Sequence, residues 1–186
     1  MKRFFDLFVS ISLLLLLAIP LIVVSMLILL TSKGPVLHWS KRVGRDNAIF
    51  LMPKFRTMII DTPNVATHLL ENPSSYYTPI GKFLRKYSID ELPQFYSIVI
   101  GDMSLVGPRP ALYNQDDLIL LRTKAGIDRL LPGVTGLAQV SGRDELSIEK
   151  KVEIDKNYLD RKSFVFDLYI IWLTVLNVIK RDNISH

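Results

Sequence analysis

Asp90 and Glu91 stand side by side in the stretch Ser88, Ile89, Asp90, Glu91, Leu92, Pro93, Gln94, and the groups around them are those that bind anions. Lys82, Arg85 and Lys86 precede the pair, and Arg109, held between Pro108 and Pro110, follows it. A helix start carries roughly half a positive charge and unsatisfied N–H donors, so it attracts phosphate as well as carboxylate. Kept ionised there, Asp90 could attack phosphorus and form an acyl phosphate. Glu91 could then take or give a proton, or hold a metal ion. The same residues have a plainer reading. Ser88 and Glu91 match the S-x-x-E capping box, in which Glu91 reaches back to a backbone N–H. Alternatively Asp90 is the N-cap and Pro93 occupies the first turn, where its missing N–H costs nothing. This stretch alone favours capping.

The other cations carry similar pairs of readings. Arg109 between two prolines has little backbone freedom, which suits a bidentate phosphate fork, although an ordinary surface turn would use the same residues. Lys54 and Arg56, two apart on an expected strand, would share one face, either a phosphate-binding edge or a solvated one. The glycines of Gly133, Val134, Thr135, Gly136 allow close backbone approach to a ligand or make a tight loop.

Absences narrow the chemistry. There is no G-x-x-x-x-G-K-[ST] and no G-x-G-x-x-G phosphate loop. No Asp-x-Asp occurs, which weakens a conventional metal-dependent nucleotide-sugar glycosyltransferase. Cysteine is absent, which excludes disulfides and thiolate metal sites, and His38, His68 and His186 are too scattered for a metal cluster. No nucleic-acid motif appears, so the net charge of +5 is assigned to membrane and phosphate partners.

These residues need elements to position them. The chain has 186 residues, 49% of them hydrophobic, and the apolar excess lies before Ser32 and again over 164–179. No charge interrupts the 26 residues from Leu7 through Ser32. As one helix they would span about 39 Å, more than the roughly 30 Å hydrocarbon core of a bilayer. The run is too long for a signal peptide and lacks a small-x-small cleavage site. Pro20, near its middle, removes a helix hydrogen bond and pushes against the carbonyl of Leu16. Lys2 and Arg3 before the run and Lys33, Lys41, Arg42 and Arg45 after it favour keeping both ends cytoplasmic. A kinked span and a re-entrant hairpin broken at Pro20 both stay open on these grounds; the hairpin's arms, about 20 Å each, are too short to cross alone.

Beyond this segment, strands are predicted over 36–41 and 48–56 around a turn at Gly44, Arg45, Asp46, Asn47. Residues 61–79 read as loop with a short helix around 65–71. Helices are predicted over 80–87, over 91–100 ending at Gly101, and over 115–124, with loops over 102–110 and 131–143. Ser147 caps a helix to about Arg161, and 164–179 forms a helix in the membrane interface or packed on the core. The expected fold is mainly α with a small β-hairpin (α+β): a membrane-embedded unit, 1–32, and a membrane-associated cytoplasmic catalytic domain, 33–186.

Motifs run in order along nearly the whole chain: Lys2, Arg3 and Asp6; Gly34 and Pro35; Lys54, Phe55, Arg56, Thr57 and Met58; Gly81, Leu84, Arg85 and Ser88; Asp90, Glu91, Leu92, Pro93 and Gln94; the block from Gly101 and Asp102 to Pro108, Arg109 and Pro110; Pro132, Gly133, Thr135, Gly136, Gln139, Gly142 and Arg143; and Asp155, Tyr158 and Leu159. In this ordered set the chain resembles the bacterial sugar transferases, the monotopic phosphoglycosyl transferases. The resemblance implies transfer of a phospho-sugar from a UDP-sugar to undecaprenyl phosphate, with release of UMP, through a covalent aspartyl-phosphosugar and with Mg²⁺. Asp90 would be the nucleophile and Glu91 its acid/base or metal-binding partner, both serving as metal ligands. Arg85 and Arg109 would contact phosphates or the uridine, with Lys54, Arg56, Arg143 and Gln139 as further substrate- and phosphate-binding candidates. The family's membrane element is a re-entrant helix broken at a proline, matching Pro20; here Ile19 precedes it where many members carry serine. The chain would be a minimal member without a multi-span N-terminal extension, at the cytoplasmic face of a bacterial inner membrane. Phospholipid, downstream glycosyltransferases and a second copy of the chain are the implied partners, and nucleic acid is not. The competing readings are a membrane-bound phosphatase or pyrophosphatase using an aspartyl phosphate, and a non-catalytic membrane scaffold for glycan enzymes.

Overall fold

The charge-free N-terminal run folds into two helices, α1 (Lys2–Leu16) and α2 (Ala18–Thr31), bent by 60° at their junction. The computed structural model describes residues 1–63, 72–142 and 146–182. Among them no single helix is long and apolar enough to cross a membrane, but α1 and α2 together pass that test. The break falls at Leu17 and not at Pro20. Pro20 has no N–H to give to the Leu16 carbonyl and its ring crowds that oxygen, so α1 ends at Leu16. Pro20 becomes the third residue of α2, in the first turn, where N–H groups lack partners in any case. The proline causes the break from three residues away.

One side of α1 is polar and faces protein. Asp6 and Ser10 are buried, whereas Phe4, Phe8, Leu15, Leu16, Ile19 and Leu30 are exposed. Arg3 donates from Nη1 and Nη2 to the carbonyls of Ile98 and Val99, at 2.7 and 3.1 Å. Lys2 Nζ lies 2.6 Å from Asp167 Oδ2. At the other end of the pair, Arg56 Nη2 donates to the carbonyl and hydroxyl oxygens of Ser32, at 3.0 and 2.7 Å.

Next comes an antiparallel hairpin, β1 (Leu37–Val43) with β2 (Ile49–Phe55), in the register Leu37↔Phe55 to Val43↔Ile49. Its turn uses Asp46 and Asn47 at φ 55° and 59°, left-handed positions these side chains tolerate. The strand bounds differ from the expected ones by one or two residues. The helix expected around 65–71 lies outside the described residues.

After the hairpin come α3 (Gly81–Lys86), a 3₁₀ turn at Ile89–Glu91, and α4 (Gln94–Ile100), closed by Gly101 at φ 104°. The helix expected to start at Glu91 starts three residues later, after Pro93. Two expected loops hold structure of their own. β3 (Ser104–Val106) pairs in parallel with β4 (Gly133–Thr135), and α6 (Leu137–Val140) follows β4. Three-residue strands are too short to show a period of two. α5 (Asp116–Lys124) lies between them, and α7 (Ile148–Arg161) is capped as expected, Ser147 Oγ accepting from Lys150 N at 3.2 Å.

α8 (Phe164–Asp182) packs on the core along one side, one of its two expected placements. Phe166 and Ile170 enter the main core with Met52, Ile98, Met103 and Val106, while Val165, Trp172, Val175 and Val178 are exposed. A second core of Ile28, Phe55 and Leu84 ties α2 to β2 and α3. The fold is mostly helical, with one small antiparallel hairpin and a bent N-terminal helix pair.

Candidate active site

Three segments meet at the adjacent carboxylates: β2 through Lys54, the 3₁₀ turn through Asp90 and Glu91, and the loop between β3 and α5 through Arg109. Ser88, at φ 56°, reverses the chain between α3 and the 3₁₀ turn and makes no side-chain cap. Glu91 does not reach back to a backbone N–H either. Its Oε1 accepts from Lys54 Nζ at 2.8 Å and from Arg109 Nη2 at 2.9 Å. Charge-assisted bonds of this kind are stronger than a neutral cap, so the capping box gives way to an ion cluster. Asp90 is not an N-cap, because α4 follows Pro93 without any side-chain cap.

The two acids differ in electrostatics. Burial opposes the charge on Glu91, yet Arg109 and Lys54 outweigh it and hold the carboxyl well below the usual range. Asp90 is 7% exposed and makes no ion pair with a described residue. Burial pushes its pKa up; Lys54 opposes that push and the neighbouring Glu91 charge adds to it. Burial also lowers the pKa of Lys54, against the pull of Glu91. The cluster thus holds one firmly anionic carboxylate and one buried carboxylate that the fold leaves unpaired.

Arg85 lies beside the cluster. Its Nε donates to Thr57 Oγ1 at 2.9 Å, its guanidinium sits 5.4 Å from the centre of the Tyr77 ring, and its charge reaches Asp90. Arg56 is placed elsewhere. β2 ends at Phe55, so Arg56 does not share the face of Lys54; it is buried at the end of α2, with Nε and Nη1 unpartnered. Gln139 on α6 donates to the Val134 carbonyl at 2.8 Å. Arg143 lies outside the described residues.

The Arg109 loop is fixed by its carbonyls. Pro108 O accepts from Gly133 N at 2.9 Å, Arg109 O from Arg122 Nη1 at 2.8 Å, Pro110 O from Arg42 Nη1 at 3.1 Å, and Ala111 O from Val43 N at 3.0 Å. The glycines over 133–136 serve this packing. A Cβ on Gly133 would meet Gly107 N at 2.1 Å, and one on Gly136 would meet Gly107 O at 2.1 Å. Their close approach is to the chain's own backbone, the tight-loop reading of these residues.

Sequence reading missed His38, Arg42 and Arg122. His38 pairs with Lys54 in the hairpin register. Burial, then Arg42, Lys54 and Arg85, lower its pKa and favour the neutral ring. Arg42 is pushed down to about 10, first by burial and then by Arg109. The turn at residues 44–47 fixes which β1 residues face Lys54, so the hairpin register carried that signal. Nothing local marked Arg122.

Among the described residues no group of three or more His, Cys, Asp or Glu side chains could hold a metal ion. Mg²⁺ is usually bound by one or two carboxylates plus substrate phosphates and water. Adjacent hard oxygen donors such as Asp90 and Glu91 fit that pattern.

Comparison with known proteins gives a consistent picture. A family profile described as "Bacterial sugar transferase" matches residues 1–181. The chain is 39% identical over 187 residues to the "Uncharacterized sugar transferase EpsL" of Bacillus subtilis (strain 168), covering 100% of this chain and 90% of that protein. It is 36% identical over 200 residues to the "UDP-galactose-lipid carrier transferase" of Erwinia amylovora, covering 98% of this chain and 41% of that protein. It is also 36% identical over 183 residues to the "UDP-glucose:undecaprenyl-phosphate glucose-1-phosphate transferase" of Escherichia coli (strain K12), covering 94% of this chain and 39% of that protein. The chain thus spans about two fifths of the length of several curated relatives it matches.

Proposed function

The chain belongs to the bacterial sugar transferase family, and from that membership and the charges around Asp90 we propose that it transfers a phospho-sugar from a UDP-sugar to undecaprenyl phosphate, releasing UMP. The observation that carries the reading is a buried, unpaired Asp90 beside a Glu91 already neutralised by Lys54 and Arg109. In the first half-reaction an Asp90 carboxylate oxygen bonds to the sugar-bearing phosphorus. The bond from that phosphorus to the bridging oxygen breaks, and its electron pair leaves with UMP. In the second, a phosphate oxygen of undecaprenyl phosphate bonds to the same phosphorus as the bond to Asp90 breaks. That step restores the carboxylate and yields the diphosphate-linked sugar. Splitting the transfer this way lets UMP leave before the lipid phosphate enters.

The chain's cations bind and orient the diphosphate. Arg109 and Lys54 start paired to Glu91, so an incoming diphosphate meets donors already placed, with little side-chain entropy left to lose. Arg85 adds positive charge on the Asp90 side. The depressed pKa of Glu91 supports a role as fixed anion and metal ligand over one as proton donor. Mg²⁺ held by Asp90 and Glu91 would supply charge neutralisation for the diphosphate.

The membrane part of the proposal is a re-entrant hairpin over residues 1–32, with the catalytic domain of 33–186 on the cytoplasmic face of a bacterial inner membrane. Both ends of the hairpin hold the same domain, Lys2 and Arg3 at one end and Ser32 through Arg56 at the other. A kinked span would carry those ends to opposite sides. Relatives named for galactose and glucose make UDP-hexoses the first substrates to try. The test is UMP release from a panel of UDP-sugars with and without undecaprenyl phosphate. Release of UMP with formation of the lipid-linked sugar upholds the reaction; release of inorganic phosphate alone, or no turnover with any sugar, rejects it.

A further inference from the structure

Arg109 occupies a loop that cannot hold itself. Pro108 and Pro110 have no N–H to give, and four consecutive carbonyls, 108 to 111, are instead gripped by donors from β4, α5 and β1. At Arg109 itself the grip comes from Arg122 on α5, and only this donor belongs to a buried ion pair. Nε and Nη2 of Arg122 donate to Asp155 Oδ2 at 3.0 and 2.6 Å, leaving Nη1 for the Arg109 carbonyl at 2.8 Å. The side chain of Asp155, on α7, is 2% exposed and that of Arg122 12% exposed. Ion pairs buried this deeply give little net stability over apolar packing. What the pair does supply is direction: one face of a planar fork fixed by a carboxylate, the other aimed at a carbonyl.

We propose that Asp155 and Arg122 are positioning residues for the transfer reaction. Asp155 orients Arg122, Arg122 holds the Arg109 backbone, and the Arg109 guanidinium is thereby set against Glu91 at 2.9 Å. Neither residue contacts the reacting groups. The pair links α7 and α5 to a cluster otherwise built from β2, the 3₁₀ turn and the loop. The inference rests on the proposed reaction for its kinetic consequence but not for its structural one.

The test uses Asp155→Asn, which keeps an acceptor but removes the charge, and Arg122→Lys, whose compact ammonium lacks the rigid planar fork that fixes carboxylate and carbonyl in set directions. Arg161→Ala is the control, removing a cation–π contact with Phe166 at the far end of α7. In the full chain, ¹⁵N guanidinium resonances of Arg109 should lose order in both positioning variants and stay unchanged in the control. kcat/KM for the UDP-sugar should fall by about tenfold to a hundredfold in both, the scale expected for a misplaced contact group. The inference is overturned if Arg109 keeps its order in both variants, or if activity falls only in step with stability as in Arg161→Ala. A wild-type chain that turns over no UDP-sugar rejects the proposed reaction instead, and the Arg109 resonances still decide the inference. Should Asp155→Asn fail to fold, Arg122→Lys carries both readouts.

Discussion

Two buried acidic regions in this molecule are wired differently. Where α1 meets the domain, Asp6 accepts from Ser104 Oγ at 2.8 Å. There too Asp167 accepts from Lys2 Nζ and from the Tyr158 hydroxyl, each at 2.6 Å. Both carboxylates find donors within the fold, and burial and Asp167 raise the pKa of Tyr158, fixing it as a donor. At the 3₁₀ turn, Glu91 takes two cations in direct ion pairs, while buried Asp90 makes none with a described residue, feels Lys54 and Arg85 only at a distance, and has a neighbour of its own sign. A buried carboxylate costs folding free energy unless it is paired. Asp6 and Asp167 each have a side-chain donor and Asp90 has none among the described residues, and on that contrast rests the nucleophile role proposed for Asp90.

The sharpest way to break this contrast is Asp90→Asn. On the proposed reaction it should lower turnover by about 10⁴-fold or more, as loss of a nucleophile does, while raising Tm by a few degrees. The sign follows from linkage. The folded pKa of Asp90 is raised, so its charge costs stability in full above that pKa, and the cost fades as pH falls toward the ordinary carboxylate range. The Tm advantage of Asp90→Asn should therefore be present at neutral pH and vanish in acid; calorimetry across pH checks it. A variant less stable than wild type at neutral pH would put both acidic regions in one class.

Glu91→Gln should lower both quantities together. Lys54 and Arg109 lose their shared anion, so stability falls by about 1–3 kcal/mol, and turnover by about 10²–10³-fold as the preset charges disperse. Denaturant melts and UMP release measure the two effects. Because the folded pKa of Glu91 is depressed, its stabilisation is present above the unfolded pKa and is lost as pH falls toward the folded one. Asp167→Ala is the smallest for catalysis: about 2–4 kcal/mol of stability from stranding Lys2 and Tyr158, with kcat/KM of the folded fraction within about twofold of wild type. A large kinetic loss there would make the α1 junction part of the site.

Local pattern and global pairing differed in how much the sequence revealed. The hairpin was legible because Asp46 and Asn47 announce a turn, and α7 because Ser147 stands where a cap should. The break in the apolar N-terminal helix was legible in cause but displaced in place, since Pro20 acts on Leu16. β3, β4 and α6 escaped because three or four residues carry no period. In the site, the composition of the cluster was readable and its wiring was not. Glu91 looked like a cap because Ser88 lies three residues before it, and only the third dimension brings Lys54 and Arg109 to its Oε1. By spacing Arg56 should share a strand face with Lys54, yet β2 stops at Phe55, between them.

The attachment of α1–α2 at both ends has a mechanical consequence. A domain hung from one flexible point can swivel and dip, meeting a surface at any angle. One pinned through Lys2 and Arg3 and again through Arg56 has lost those rotations. If the hairpin sits in a bilayer, the mouth of the Asp90 cluster keeps one height and one heading as the protein drifts. On the proposed reaction, a lipid-borne acceptor would then find it by a search in two dimensions, with orientation already solved.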